Sequence, residues 1–244
     1  MIPIDPAYEK RRIISFIRRT FKKQKKQKAV IGLSGGIDST TSYFLLCEAL
    51  GNRNIISVHL PYFSLDPHIN KFINKKGVYG IDQIVDSFKK TVQVYKSEKV
   101  RLGNIMARVR MIILYDLAKK NNALVCGTEN KTEHLLGYYT RFGDEASDIE
   151  PIKHLFKTQV YELASYLGVP KAILEKAPAA ELWTGQTDEG EFGFTYKEAD
   201  EVLSLYFDKK KSLSKIAKLG FKNAKKIVDK AKSSSFKHAV PYAL

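Results

Sequence analysis

Cysteine is nearly absent: Cys47 and Cys126 are the only two in 244 residues, and no C-x-x-C occurs. They stand far apart, each within an apolar stretch. That excludes a disulfide framework and leaves two thiols expected to be buried and reduced. Histidine is sparse as well, five residues without an H-E-x-x-H or a Cys/His cluster, so neither a structural zinc nor an all-protein transition-metal centre is expected. No apolar run is long enough to span a bilayer, and the first residues lack the apolar core of a signal peptide. A cytoplasmic protein with no membrane partner is therefore expected. There is no internal repeat and no linker-like stretch, so residues 1–244 are read as a single domain. Acid is in deficit, 26 Asp and Glu against 41 Lys and Arg, for a net charge of +15. Such a balance favours anionic partners, nucleotides or nucleic acid. Eleven lysines fall between Lys209 and Lys237 with Asp229 the lone acid. Because no Arg is interleaved and aromatics only at Phe221 and Phe236, they are read as a solvated face, and a nucleic-acid partner is not expected.

What is present centres on Ala29 to Ser42, AVIGLSGGIDSTTS. The run Ala29-Val30-Ile31-Gly32-Leu33 reads as a buried strand. Ser34-Gly35-Gly36 ends it, and a helix starts before Tyr43 and Leu45. Strand, glycine-rich turn and helix start together make an anion site, because backbone N–H groups and the positive helix end converge while glycine lets a phosphate approach. No Lys follows the glycines, so this is not the G-x-x-x-x-G-K-[ST] loop, and the spacing is not G-x-G-x-x-G. Ser34, Ser39 and Thr40 can serve phosphate oxygens. Asp38 is the unexpected member: a carboxylate beside phosphates repels them unless a cation bridges the two, which implies Mg²⁺. The plainer alternative is a tight turn that needs two glycines, with Asp38 and Ser39 as ordinary first-turn residues.

Taken in order, periodicity predicts a helix over Tyr8 to Lys23 with Ile13, Ile17 and Phe21 inward. A second strand follows at Asn54 to Leu60, then a largely irregular stretch from Pro61 to Gly80. Helix is predicted over Ile81 to Lys90 and a short strand over Thr91 to Tyr95. A long helix covers Leu102 to Lys120 with Ile105, Val109, Ile112, Ile113 and Leu117 inward. Ala123 to Cys126 is another strand, ended by Gly127-Thr128. A helical turn at Thr132 to Gly137, a loop to Glu150 and a helix over Lys157 to Leu167 come next. Pro178 to Phe194 carries three glycines, four acids and little apolar periodicity, and is read as a mobile lid. Three helices over Tyr196 to Phe207, Leu213 to Leu219 and Asn223 to Lys232 close the chain. Alternation of strands and helices predicts an α/β fold: an open, mostly parallel sheet with helices on both faces and a helical C-terminal region. Right-handed crossovers then put the strand ends at Ser34–Ser39 and Gly127–Asn130 on one edge, where ligands bind.

SGGIDS after a buried strand resembles the pyrophosphate loop of the ATP pyrophosphatase family, adenine nucleotide alpha hydrolase-like enzymes that adenylate a substrate and release pyrophosphate. Further stretches narrow the resemblance: Leu102-Gly103-Asn104 through Ala107-Arg108-Val109-Arg110-Met111, Gly127-Thr128-Glu129-Asn130-Lys131-Thr132-Glu133, Gly137-Tyr138-Tyr139-Thr140-Arg141-Phe142-Gly143-Asp144, Pro151-Ile152, Lys157-Thr158-Gln159-Val160 and Gly185-Gln186-Thr187-Asp188-Glu189. Together, from about Ala29 to Tyr196, these are similar to the ammonia-dependent NAD⁺ synthetases. The resemblance implies that ATP adenylates the nicotinate carboxylate of deamido-NAD, and that ammonia then displaces AMP to give NAD⁺. It implies that Gly32, Leu33, Ser34, Gly35, Gly36, Ile37, Asp38 and Ser39 hold ATP, with Thr128 and Lys157 as further contacts. By the same resemblance Asp38 and Glu133 bind Mg²⁺, Asp38, Glu133 and Lys157 form the catalytic set, and Arg108, Arg141, Asp148 and Lys237 meet deamido-NAD. Glu133 and Lys157 also admit reading as ordinary helix-start residues. A homodimer with substrate near its interface is carried over likewise.

Three positions depart from the family pattern. Arg141 stands where Lys is frequent, which keeps charge but alters hydrogen-bond geometry. Ala179 occupies the place of a Thr expected to touch ATP, so that contact is lost or moved to Ala180 or Thr184. Phe236-Lys237-His238 with Pro241 replaces His-Lys-Arg, so a substrate role for Phe236 differs in kind. Length leaves no room for a fused amidase, and neither cysteine has a nucleophile's setting, which predicts free ammonia as the nitrogen source. The alternatives are another adenylating enzyme on the same loop, such as a tRNA-modifying enzyme or an amidotransferase synthetase subunit, and a non-enzymatic nucleotide- or RNA-binding module.

Overall fold

The protein is described from a computed structural model covering residues 2–62, 72–73, 77–95, 97–179, 182–183 and 185–239. Strand β1 (Lys28–Gly32) is central, with β2 (Ile55–Val58) on one side and β3 (Ala123–Cys126) on the other, both parallel to it. Val30 pairs with Ile56 and with Val125. Successive residues of β1 point to opposite faces, and both faces are covered: Ala29 and Ile31 enter one apolar cluster and Val30 the other. That explains an unbroken apolar run where a half-solvated strand would alternate.

One face carries α1 (Pro6–Lys23), α2 (Ile37–Leu50), α6 (Lys157–Tyr166) and the short α7 (Lys171–Leu174). Ile13, Ile17, Phe21, Leu45, Leu46, Val160 and Leu163 pack there. Asp5 caps α1 by accepting from the Ala7 and Tyr8 N–H groups at 3.0 Å. The other face carries α3 (Asp82–Thr91) and α4 (Lys99–Asn121), which bury Val85, Met106, Val109 and Leu117. A third apolar cluster joins α5 (Lys131–Leu136), α8 (Asp188–Phe192), α9 (Tyr196–Leu203), α10 (Leu213–Ala217) and α11 (Ala224–Ser233). The chain leaves β1 toward β2 and returns on the opposite side as β3, so the order reverses beside β1. In open α/β sheets that reversal opens a crevice at the strand C-termini.

Three local expectations change. Thr91–Tyr95 is not a strand. Val92 N–H bonds back to Phe88 O at 3.0 Å and Val94 N–H to Lys89 O at 3.0 Å, with Gln93 at φ +52°, so these groups close the end of α3 instead of a sheet ladder. The alternating valines fit because Val94 is buried as a plug. Ile112 does not face the core; it is 61% exposed. Residues 186–194 are not a loose lid: Gln186, Asp188, Phe192 and Phe194 are buried, the two phenylalanines stacked at 5.3 Å in the third cluster. Most of the irregular 61–80 stretch lies outside the described residues.

Candidate active site

The turn after β1 is fixed by its own hydroxyls. Leu33 is buried and donates its N–H to Val58 O at 2.8 Å, continuing the sheet. Gly35 takes φ +87°, a conformation that favours glycine. The Ser34 hydroxyl accepts from the Gly36 N–H at 3.1 Å and lies 3.1 Å from the Ser39 hydroxyl, which in turn accepts from the Ser34 N–H at 3.3 Å. Gly36 offers no side-chain cap to α2, so the first-turn N–H groups, beginning at Ile37, are left for an outside acceptor. Gly32 is the last residue of β1 and supports the turn from below.

Beyond β3 the chain passes Gly127 and the half-buried Thr128 and enters α5 through a capping box, the reciprocal N-cap arrangement of N-x-x-E. Asn130 is wholly buried and accepts from the Glu133 N–H at 3.0 Å, while Glu133 accepts from the Asn130 N–H at 3.4 Å. The Asn130 amide also donates to Asp38 Oδ1 at 3.0 Å. It thereby ties the two strand ends together.

Lys157, the first residue of α6 and 2% exposed, completes the arrangement. Its ammonium lies 2.5 Å from Asp38 Oδ2 and 3.0 Å from Glu133 Oε1. It also sits 4.9 Å from the centre of the Tyr196 ring. Its backbone N–H donates to Thr132 Oγ1 at 2.9 Å, and Thr132 donates to the buried Asp200 at 2.5 Å. Asp200 further accepts from the Thr158 N–H at 2.8 Å. The Tyr196 hydroxyl donates to Asp188 at 2.8 Å, and the Tyr138 hydroxyl to the other oxygen at 3.1 Å. Burial, reinforced by Asp38 nearby, pushes the Glu133 carboxyl up to about 8 against the opposing pull of Lys157. Burial alone would lower the Lys157 ammonium, but Asp38 and Glu133 outweigh it and hold the charge.

A second grouping sits on the 137–141 turn. Arg108 on α4 donates to Arg141 O at 3.2 Å. The Arg141 guanidinium lies 5.6 Å from the Phe236 ring centre. The Lys237 ammonium donates to the carbonyls of Gly137 at 2.6 Å and Tyr139 at 2.7 Å. His238 stacks on His134 at 4.2 Å, with Nε2 2.7 Å from His134 O. A Cβ on Gly137, itself at φ +61°, would collide with Ser234. Asp148 gives one oxygen to the Val125 N–H at 2.8 Å, sealing the β3 edge. Ala179 is half-buried beside Pro178, whose carbonyl accepts from Asp188 N–H at 3.0 Å. Ala180, Glu181, Thr184 and Pro241 lie outside the described residues.

So Asp38, Glu133 and Lys157 meet at one point beside the turn of residues 32–39, and Arg108, Arg141, Phe236 and Lys237 gather on a neighbouring turn. Reading the sequence missed Asn130, Asp188, Tyr196 and Asp200. Only Asn130 carried a usable signal, its spacing to Glu133. Both cysteines are poor nucleophiles, since burial raises the thiols of Cys126 and Cys47.

Among the described residues no three His, Cys, Asp or Glu side chains converge as a metal cage. Two carboxylate oxygens aimed at one cation still suit Mg²⁺, a hard ion usually held by one or two carboxylates plus substrate phosphates. A parallel sheet with an uncapped helix start and an acidic pair at its switch point defines a nucleotide-binding α/β enzyme of the adenylating class. The NAD synthase family model matches residues 9–241, and the chain belongs to that family. It is 42% identical to the NH(3)-dependent NAD(+) synthetase of Fusobacterium nucleatum over 94% of this chain and 92% of that protein. Among solved structures, the NMN synthetase of Francisella tularensis superposes with a TM-score of 0.83 at 32% identity, covering 99% of both chains. The NH3-dependent NAD synthetase of Campylobacter jejuni, solved with nitrate, gives 0.80 at 29% identity, covering 99% of this chain and 100% of that one.

Proposed function

We infer that the chain is an ammonia-dependent NAD⁺ synthase, a carbon–nitrogen ligase that converts deamido-NAD, ATP and ammonia to NAD⁺, AMP and pyrophosphate. The observation that carries the reading is the meeting of Asp38, Glu133 and Lys157 at the mouth of the 34–39 turn. In the first half-reaction a nicotinate carboxylate oxygen bonds to the α-phosphorus and the bond to the bridging oxygen of pyrophosphate breaks. In the second, ammonia nitrogen bonds to the acyl carbon, AMP leaves with the electron pair, and the nitrogen sheds a proton. Neither half demands a strong general base. Both demand that phosphate charge be met and two reacting atoms aligned. The backbone at residues 32–39 and the start of α2 hold the triphosphate, Ser34 and Ser39 fix the turn, and Lys157 brings an ammonium to the phosphates. Thr128 and Ala179 line the ATP side, Ala179 through backbone only. Asp38 and Glu133 would hold Mg²⁺, which supplies charge neutralisation for the triphosphate when bound. Arg108 and Arg141 meet the dinucleotide phosphates, Phe236 offers a ring face, Asp148 turns its second oxygen to a hydroxyl, and Lys237 supports the turn they share.

The substrates place the enzyme in the cytoplasm, and one domain carries the whole reaction. Ile84, Phe88, Tyr95, Val100 and Ile112, all on or beside α3 and α4, are at least half exposed. So many large apolar side chains on neighbouring elements support a homodimer through this side.

The test is AMP and NAD⁺ formation from ATP, Mg²⁺ and deamido-NAD, with ammonium or glutamine. Ammonium alone is expected to support NAD⁺ formation. The Francisella likeness brings a second reading, amidation of nicotinate mononucleotide to NMN; turnover of the mononucleotide with none of the dinucleotide would replace the first reading by it.

A further inference from the structure

The oxygens that Asp38 and Glu133 would offer a metal are the same ones that Lys157 contacts. Asp38 Oδ1 accepts from the Asn130 amide at 3.0 Å, and Glu133 Oε2 accepts from the Asn130 N–H at 3.4 Å. The remaining pair, Oδ2 and Oε1, faces the Lys157 ammonium at 2.5 and 3.0 Å. An ion coordinated by both at about 2.1 Å would occupy the place where the ammonium sits. Two cations a few ångströms apart in a protein interior repel strongly, because the low effective dielectric there screens them far less than water does. Lys157 and a metal therefore cannot share these two oxygens.

We propose that Lys157 is an internal counter-ion that keeps free divalent metal out of the acidic pair until a triphosphate arrives. The phosphate oxygens then give the ammonium a new partner, and its stem swings from the first turn of α6 toward the start of α2. Metal and ATP consequently bind as a unit, and metal alone binds poorly. The inference rests on the reading of Asp38 and Glu133 as metal ligands, and the experiment separates the two.

Mn²⁺ binding to the ATP-free protein is measured by electron paramagnetic resonance, with Mg²⁺ checked by calorimetry. Lys157→Met is expected to bind Mn²⁺ at least tenfold more tightly than the unsubstituted chain. Lys157→Gln, which keeps a polar contact for the buried acids, guards against misfolding and is expected to behave likewise. Adding Asp38→Asn to either variant should abolish the gain. Equal Mn²⁺ affinity in the unsubstituted chain and both Lys157 variants, with Asp38→Asn still weakening it, would overturn the counter-ion role while leaving the metal ligands in place. A Lys157 variant whose tightened binding survives Asp38→Asn would overturn the ligand assignment as well.

Discussion

The two halves of the crevice are built on opposite plans. At the strand ends, Asp38, Asn130, Glu133 and Lys157 satisfy one another inside the protein, with Asn130 and Lys157 at or near zero exposure. On the 137–141 turn, Arg108 is exposed and, like Lys237, donates to backbone carbonyls. The first half is preorganised: before any nucleotide binds its charges are desolvated and held by one another, so that only the Lys157 side chain has to change partner when phosphate charge arrives. The second half holds its cations on carbonyl dipoles, contacts that a phosphate can displace because it offers a guanidinium or ammonium a full opposite charge and, to Arg, a bidentate geometry. Chemistry is placed on the rigid half and recognition on the adaptable one.

The sharpest way to break this contrast is to remove a charge from the rigid half. Asp38→Asn is expected to lower AMP formation by about a thousandfold or more, with the circular dichroism spectrum unchanged because Lys157 keeps Glu133 as partner. Normal turnover would end the role given to Asp38. Asn130→Ala touches no phosphate, yet it removes both the α5 cap and the tie between the two strand ends. A loss of about a hundredfold in kcat is expected, with roughly 2 kcal/mol lost in urea unfolding. If only stability fell, Asn130 would be a cap and nothing more.

On the adaptable half, Arg108→Ala and Arg141→Ala are expected to raise KM for deamido-NAD about ten- to a hundredfold while leaving KM for ATP within about twofold. Equal effects on both substrates would show that the halves are not separable.

The rigid half was also the more legible in sequence. A continuous apolar strand, a glycine turn and a helix start are local events, and Asp38, Glu133 and Lys157 each fall at the first turn of an element where periodicity shows it. Their convergence follows from strand order, which alternation of strands and helices constrains. Contacts made at long range left no such trace. Asn130 reaches Asp38 across 92 residues, and the pairing of Asp188 with Tyr138 and Tyr196 depends on how α8 docks on α5 and α9. Local pattern also misled where two structures share it. Val92 and Val94 alternate as a strand would, but their backbone groups had a nearer use at the end of α3. Ile112 continues an apolar stripe on α4 that the core does not fill. Gly185, Gly190 and Gly193 look like lid residues, yet Phe192 and Phe194 between and beyond them anchor the segment.

Glu150 lets the same contrast be sharpened without touching catalysis. Its carboxyl lies under the 127–129 turn, accepting from the Ser147 hydroxyl at 2.8 Å and the Glu129 N–H at 3.1 Å. A Cβ at Gly127 would run into it. Burial pushes its carboxyl from 4.5 up to about 8, with Ser147 pulling the other way. The folded chain therefore binds this proton more tightly than the unfolded chain does. The contribution is whole below pH 4.5 and is lost as pH rises through 8, because the slope of unfolding free energy against pH is negative wherever the native state holds the extra proton. Between pH 6 and 8 the unsubstituted chain should lose about 1–2 kcal/mol from this group. Glu150→Gln should flatten that fall, its carbonyl still accepting from Glu129 N–H and its amide donating to the Ser147 oxygen. Urea midpoints at the two pH values decide it: parallel falls in both proteins would mean that the charge under the 127–129 turn is met by solvent, and that this edge of the rigid half is less dry than its packing indicates.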